Sequence, residues 1–131
     1  MKSALPPSPP APKRWLVVDD DESIREFMAA LLEMTGGVEV TQFASATEAL
    51  PVFAAAPERY KFIITDFEMP GMNGVEFCRR VLALSLDAKI LLVTGRCDIS
   101  ETEARRLGFC GLLRKPFPAT ALWQALEAAE A

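Results

Sequence analysis

Phe62-Ile63-Ile64-Thr65-Asp66-Phe67-Glu68-Met69-Pro70-Gly71-Met72-Asn73-Gly74 is the stretch whose reading decides the fold. Phe62 to Thr65 are apolar or β-branched with no polar alternation, as in a strand buried on both faces. The run stops on a carboxylate, Asp66, and Pro70, Gly71, Asn73 and Gly74 then supply a turn. Open α/β sheets carry their ligand chemistry at the C-terminal tips of the strands, where Asp66 would stand. An aspartate at a strand end also commonly does no more than cap a loop. The flanking sequence has to choose between the two.

Towards the N-terminus, Tyr60 to Asp66 forms the whole strand. It is preceded by a helix that opens on the capping box Ser45-Ala46-Thr47-Glu48. That helix runs through Ala49, Leu50, Val52 and Phe53 and ends before Pro57, with Pro51 read as an early helical position. Val38 to Phe43 is a strand. Before it, Ile24, Phe27, Met28, Leu31 and Leu32 recur at helical spacing between Ser23 and Met34, and Gly36 and Gly37 stop that helix. Trp15-Leu16-Val17-Val18 is the first strand, and it ends in Asp19-Asp20-Asp21-Glu22. Residues 1–12 hold five prolines and are expected to be a disordered or polyproline-II tail. The alternative for that tail is a ligand for a partner's aromatic groove. The folded domain is expected over 13–131.

Towards the C-terminus, Asn73 with Glu76 is an N-cap signal. The helix that follows is expected to bury Val75, Cys78, Val81 and Leu82. Lys89 to Thr94 is a fourth strand. Asp98 to Leu107 reads as a short polar helix stopped by Gly108, and Cys110 to Arg114 as a fifth strand. Lys115-Pro116-Phe117 follows, and Pro118 opens a last helix with Leu122, Leu126 and Ala129 on one face. Five strands alternating with five helices predict right-handed βαβ crossovers and a parallel sheet covered on both sides.

The 131 residues suffice for one domain with one sizeable core. A net charge of -4 offers no basic face to a phosphate backbone, which argues against direct nucleic-acid binding. The chain has no histidine, which excludes a histidine general base, a Ser-His-Asp triad and a histidine phosphodonor within it. Cys78, Cys97 and Cys110 are odd in number and widely spaced, which fits buried thiols in a reducing cytosol better than disulfides or zinc. No apolar run approaches the length of a membrane span, and Lys2 leads into prolines rather than a signal-peptide core. A cytoplasmic location is expected.

Four strands end in polar groups that a parallel sheet would gather at one edge. These are Asp19 and Asp20, then Asp66, Thr94 and Lys115. Three carboxylates brought together repel one another unless a cation sits among them. Mg²⁺ suits the set because it accepts a few carboxylates together with water and a phosphoryl oxygen. Asp21 and Glu22 are read as favourable charges at a helix N-terminus.

With these pieces in view, the chain resembles a response-regulator receiver domain of two-component signalling. The resemblance rests on Val17-Val18-Asp19-Asp20, on Asp66 to Gly74, on Val93-Thr94-Gly95 and on Lys115-Pro116-Phe117, in that order. It covers 13–131. It implies a (βα)5 flavodoxin-like, doubly wound fold with strand order 2-1-3-4-5. It implies that Asp66 is the phosphoacceptor, taking a phosphoryl group from a sensor histidine kinase, a phosphotransfer protein or a small phosphodonor. It further implies Mg²⁺ held by Asp20 and Asp66, with Asp19 assisting and the backbone carbonyl of Glu68 as a further ligand. Lys115 and Thr94 would meet the phosphoryl oxygens. Thr94 would then couple the site to the face made by the fourth helix, fifth strand and fifth helix, where a downstream protein or a second copy would dock. The domain would catalyse only its own phosphorylation and dephosphorylation.

Some positions depart from the family pattern or leave it open. Leu112 stands where such domains usually carry an aromatic residue, so Thr94 has no ring to move. Glu68 and Arg96 have three readings: they flank an attacking water, pair with each other, or are simply solvated. Gly95 leaves room beside the acceptor. Trp123 is either half exposed on the partner face or packed at the core's edge, the second being favoured. A stand-alone receiver is the expectation; a piece of a longer hybrid kinase or regulator is its alternative. Two further rivals are an interaction module that works without phosphorylation and a phospho-aspartate phosphatase. The phosphatase would need Asp-x-Asp where this chain has Asp66-Phe67-Glu68.

Overall fold

The computed structural model describes residues 13–130; the expected N-terminal tail lies outside them. In chain order the elements are β1 (Lys13–Val18), α1 (Glu22–Glu33), β2 (Val38–Phe43), α2 (Ala46–Ala55), β3 (Tyr60–Asp66), α3 (Gly74–Leu84), β4 (Lys89–Thr94), α4 (Glu101–Arg106), β5 (Gly111–Arg114) and α5 (Ala119–Glu130). A single 3₁₀ turn, Pro57–Arg59, precedes β3. All strands are parallel, in the order β2-β1-β3-β4-β5. The parallel sheet is the one the alternation of strands and helices predicts, and its order is the flavodoxin-like one that the family resemblance implies.

The unbroken apolar runs follow from the two-sided burial of the sheet. Leu16, Ile63, Ile90 and Leu92 point to one face, where Ala46, Ala49, Phe53, Phe77, Cys78, Val81 and Ala104 of α2, α3 and α4 cover them. Their neighbours Trp15, Val17, Phe62, Ile64, Leu91 and Val93 point to the other face, against Met28 and Leu32 of α1 and Leu122 and Leu126 of α5. Period-two alternation is present in the geometry but invisible in the composition, because both faces are apolar. No helix among the described residues is long and apolar enough to cross a membrane.

Several local expectations need correction. α4 begins at Glu101, not Asp98, because Ile99 turns into the core and Ser100 caps the helix by accepting from the Glu103 N–H. Pro51 is not in the first turn of its helix. α2 starts at Ala46, so Pro51 removes a backbone donor that would otherwise serve the turn before it. In α3, Phe77 is fully buried, whereas Val75 and Leu82 are half-buried. Phe27 is exposed at the edge of α1 and meets Phe117, with ring centroids 6.0 Å apart. Of the cysteines, Cys78 is buried, Cys110 half-buried and Cys97 exposed, so only two of the three thiols are sheltered. Trp123, by contrast, needs no correction: it is half-buried and packs at the edge of the core, the reading favoured from the sequence.

Candidate phosphoacceptor site

The parallel strands deliver their C-terminal ends to one edge, and the chain changes direction there in tightly held loops. After β1, Asp19 continues the pairing with β2 through its N–H to the Phe43 carbonyl at 3.1 Å. Its Oδ1 accepts from the Asp21 N–H at 2.9 Å, and Arg25 of α1 donates to its carbonyl at 2.8 Å. Asp21 caps α1 by accepting from the Ile24 N–H at 3.2 Å. After β3, Asp66 Oδ1 accepts from the Phe67 N–H at 2.8 Å. Asn73 caps α3, and the Gly74 N–H returns to the Phe67 carbonyl at 2.8 Å. A Cβ on Gly74 would lie 2.2 Å from the Asp66 carbonyl oxygen, so only glycine lets α3 start this close to the strand tip.

Asp19 is fully buried and Asp66 is 8% exposed, whereas Asp20 faces solvent. Carboxylate oxygens of these three residues lie within 4.8 Å of one another. Lys115, which follows β5 across a cis Lys115–Pro116 bond, reaches in among them. Its Nζ stands 2.8 Å from Asp19 Oδ2 and 3.3 Å from Asp66 Oδ2. The approach to Asp19 is an ion pair without hydrogen-bond alignment, so this buried Oδ2 keeps unused acceptor capacity. A buried carboxylate oxygen with spare acceptor capacity beside two further carboxylates is a donor set for a hard divalent cation. The residues present therefore fit Mg²⁺.

The electrostatics have the same origin. Burial, with the charge of Asp19 adding, pushes the Asp66 carboxyl up to about 6 against the opposing pull of Lys115. Burial works against the Lys115 ammonium, but Asp19 and Asp66 outweigh it and hold it above its ordinary value. One cation thus balances part of the negative charge, and the remainder calls for a second.

Asp66, Thr94 and Lys115 open into a pocket of 490 Å³ that Asp21, Ile24, Glu68, Gly95 and Arg96 also line. Thr94 is buried, and its Oγ1 accepts from the Arg96 N–H at 3.1 Å. Of the readings for Glu68 and Arg96, pairing is the one found, at 3.2 Å. Arg96 also grips Asp98 and lies over the Phe67 ring, 4.6 Å from its centroid. A Cβ on Gly95 would meet nothing within 4 Å, so that position is open as expected. Sequence reasoning missed Arg25 and the close approach at Gly74. Arg25 gives no signal because its target is a backbone carbonyl. Gly74 was visible only as a turn former.

Comparisons agree with this geometry. A family model described as response regulator receiver domain matches residues 15–127. The C4-dicarboxylate transport transcriptional regulatory protein DctD of Rhizobium meliloti is 40% identical over 92% of this chain and 25% of its own length. The transcriptional regulatory protein FixJ of Azorhizobium caulinodans is 37% identical over 86% of this chain and 52% of its own. The chain therefore spans from a quarter to about half the length of these two curated relatives. The crystal structure of a response regulator receiver domain protein from Clostridium thermocellum superposes with a TM-score of 0.80. It is 31% identical, over 88% of this chain and 92% of that one. Fold, strand-end constellation and sequence similarity lead to one assignment: the chain belongs to the response regulator receiver domain family of two-component signalling.

Proposed function

We propose that this receiver is a phosphorylation-controlled switch, with Asp66 as phosphoacceptor in a Mg²⁺-dependent reaction. The observation that carries the reading is a buried carboxylate, open to solvent on one side, held between two more carboxylates and one lysine. Asp66 Oδ1 is occupied by the Phe67 N–H, which leaves Oδ2 to attack phosphorus. An O–P bond forms, the donor's P–N or P–O bond breaks, and the leaving group departs with the electron pair, taking a proton from solvent where it needs one. Asp19, Asp20, Asp66 and the Glu68 carbonyl would hold Mg²⁺, which when bound supplies positive charge to the phosphoryl oxygens.

Lys115 supplies a second positive charge and stands within reach of the new acyl phosphate. Thr94 is placed to turn its hydroxyl from the Arg96 N–H towards that group. Hydrolysis in the same site resets the domain, and no other substrate is turned over. The donor is a sensor histidine kinase, a phosphotransfer protein or a small phosphodonor. The output is a protein that reads the face formed by α4, β5 and α5, or a second copy of the chain on that face.

The test is intact mass after incubation with phosphoramidate or acetyl phosphate. A gain of one phosphoryl group that requires Mg²⁺ and is lost in Asp66→Asn is expected. A gain that survives Asp66→Asn, or none when beryllofluoride also fails to bind, would overturn the reading.

A further inference from the structure

Leu112 is half-buried and has neither a ring nor a polar atom, so it cannot carry a hydrogen-bonded signal from Thr94. Two residues further along the same strand stands Arg114, directly opposite Thr94 in the β4–β5 register. The Arg114 side chain is exposed and crosses the β4–α4 loop, where its two terminal nitrogens donate to the carbonyls of Arg96 and Ile99. Arg96 is the residue whose N–H the Thr94 hydroxyl accepts. Ile99 is the buried residue just before the α4 cap, Ser100. One guanidinium therefore ties the residue whose N–H Thr94 holds to the start of α4.

We propose that Arg114 is the positioning residue that makes the β4–α4 loop and α4 move as one body when Thr94 turns to the phosphoryl group. This rests on the phosphoacceptor reading of Asp66. When the hydroxyl leaves the Arg96 N–H, residues 95 and 96 are released from β4. A loop of separate residues would absorb that shift locally. Here the Arg96 carbonyl is bonded to the same planar fork as the Ile99 carbonyl, so displacement at one end reaches the other. Arg96 lies over Phe67 and pairs with Glu68, and this anchors the near end to the acceptor loop. The fork does the work for which Leu112 has no chemistry.

The test uses ¹⁵N-labelled wild type, Arg114→Gln and Arg114→Lys, each titrated with Mg²⁺ and beryllofluoride while backbone amide shifts are followed. In the wild type, amides 66–68, 94–100 and 101–106 are expected to shift together. In Arg114→Gln, amides 66–68 still shift, whereas the response over 101–106 falls by roughly half or more. Lysine can reach one carbonyl but cannot bridge both, so Arg114→Lys gives an intermediate response. A role confined to local stability would weaken both sets of amides equally, and that result overturns the proposal. So does a wild-type response over 101–106 in Arg114→Gln. A wild type that shows no shift at 66–68 overturns the phosphoacceptor reading and this inference with it.

Discussion

Asp66 is a carboxylate that the fold holds at a cost. Its folded pKa of about 6 lies above the ordinary value of 3.8, chiefly through burial. For a group raised in this way, the stabilising contribution is complete below 3.8 and is lost as pH rises through about 6. Without Mg²⁺, Asp66→Asn should therefore be more stable than the wild type at neutral pH, by about 1 kcal/mol once solvent access is discounted. The difference should vanish near pH 3.5. Urea unfolding of both proteins at the two pH values checks it. At this scale the sequence was informative about residue types: Asp19, Asp20, Asp66, Thr94 and Lys115 all reach the same strand edge. It said little about which carboxylate is sheltered. Asp19 and Asp20 are adjacent in sequence, yet one is buried and the other faces solvent, and only the path of the β1–α1 loop distinguishes them.

Among the elements, the contact of α3 with the tip of β3 controls the site most tightly. Gly74→Ala would drive a Cβ into the backbone carbonyl of Asp66, which has no side-chain freedom to yield. A loss of about 2 kcal/mol in stability is expected. Mg²⁺ binding should weaken as well, because the Asp66 backbone must move. Parallel denaturation and Mg²⁺ titrations of the variant measure both. Strands and most helix starts were legible because local chemistry sets them: Ser45 and Asn73 cap where their side chains predict. Errors arose where tertiary burial decided. Ile99 looks like a helical residue by pattern but is drawn into the core before α4 begins. Phe27 fits the apolar stripe of α1 but lies exposed at its edge, beside Phe117.

For the whole molecule, folding and the site are linked by charge. Sheet topology forces three carboxylates from the ends of two strands together, and one lysine balances only part of them. Mg²⁺ should therefore raise the unfolding midpoint by mass action, since the unfolded chain has no such cluster. The rise should shrink below about pH 6, where a proton on Asp66 competes with the ion. Thermal scans across Mg²⁺ concentration at pH 5 and 7.5 check this, and an equal rise at both would contradict it. Alternation of strands and helices made the parallel sheet legible. The order β2-β1-β3-β4-β5 came from family resemblance, because apolar runs as alike as Ile63-Ile64 and Leu91-Leu92 do not encode which strand neighbours which. The most direct measurement is to phosphorylate the protein with phosphoramidate and Mg²⁺, reduce the acyl phosphate with borohydride, and sequence the peptides by mass spectrometry. The account predicts homoserine at position 66 and nowhere else. Homoserine at position 19 or 20 would contradict it.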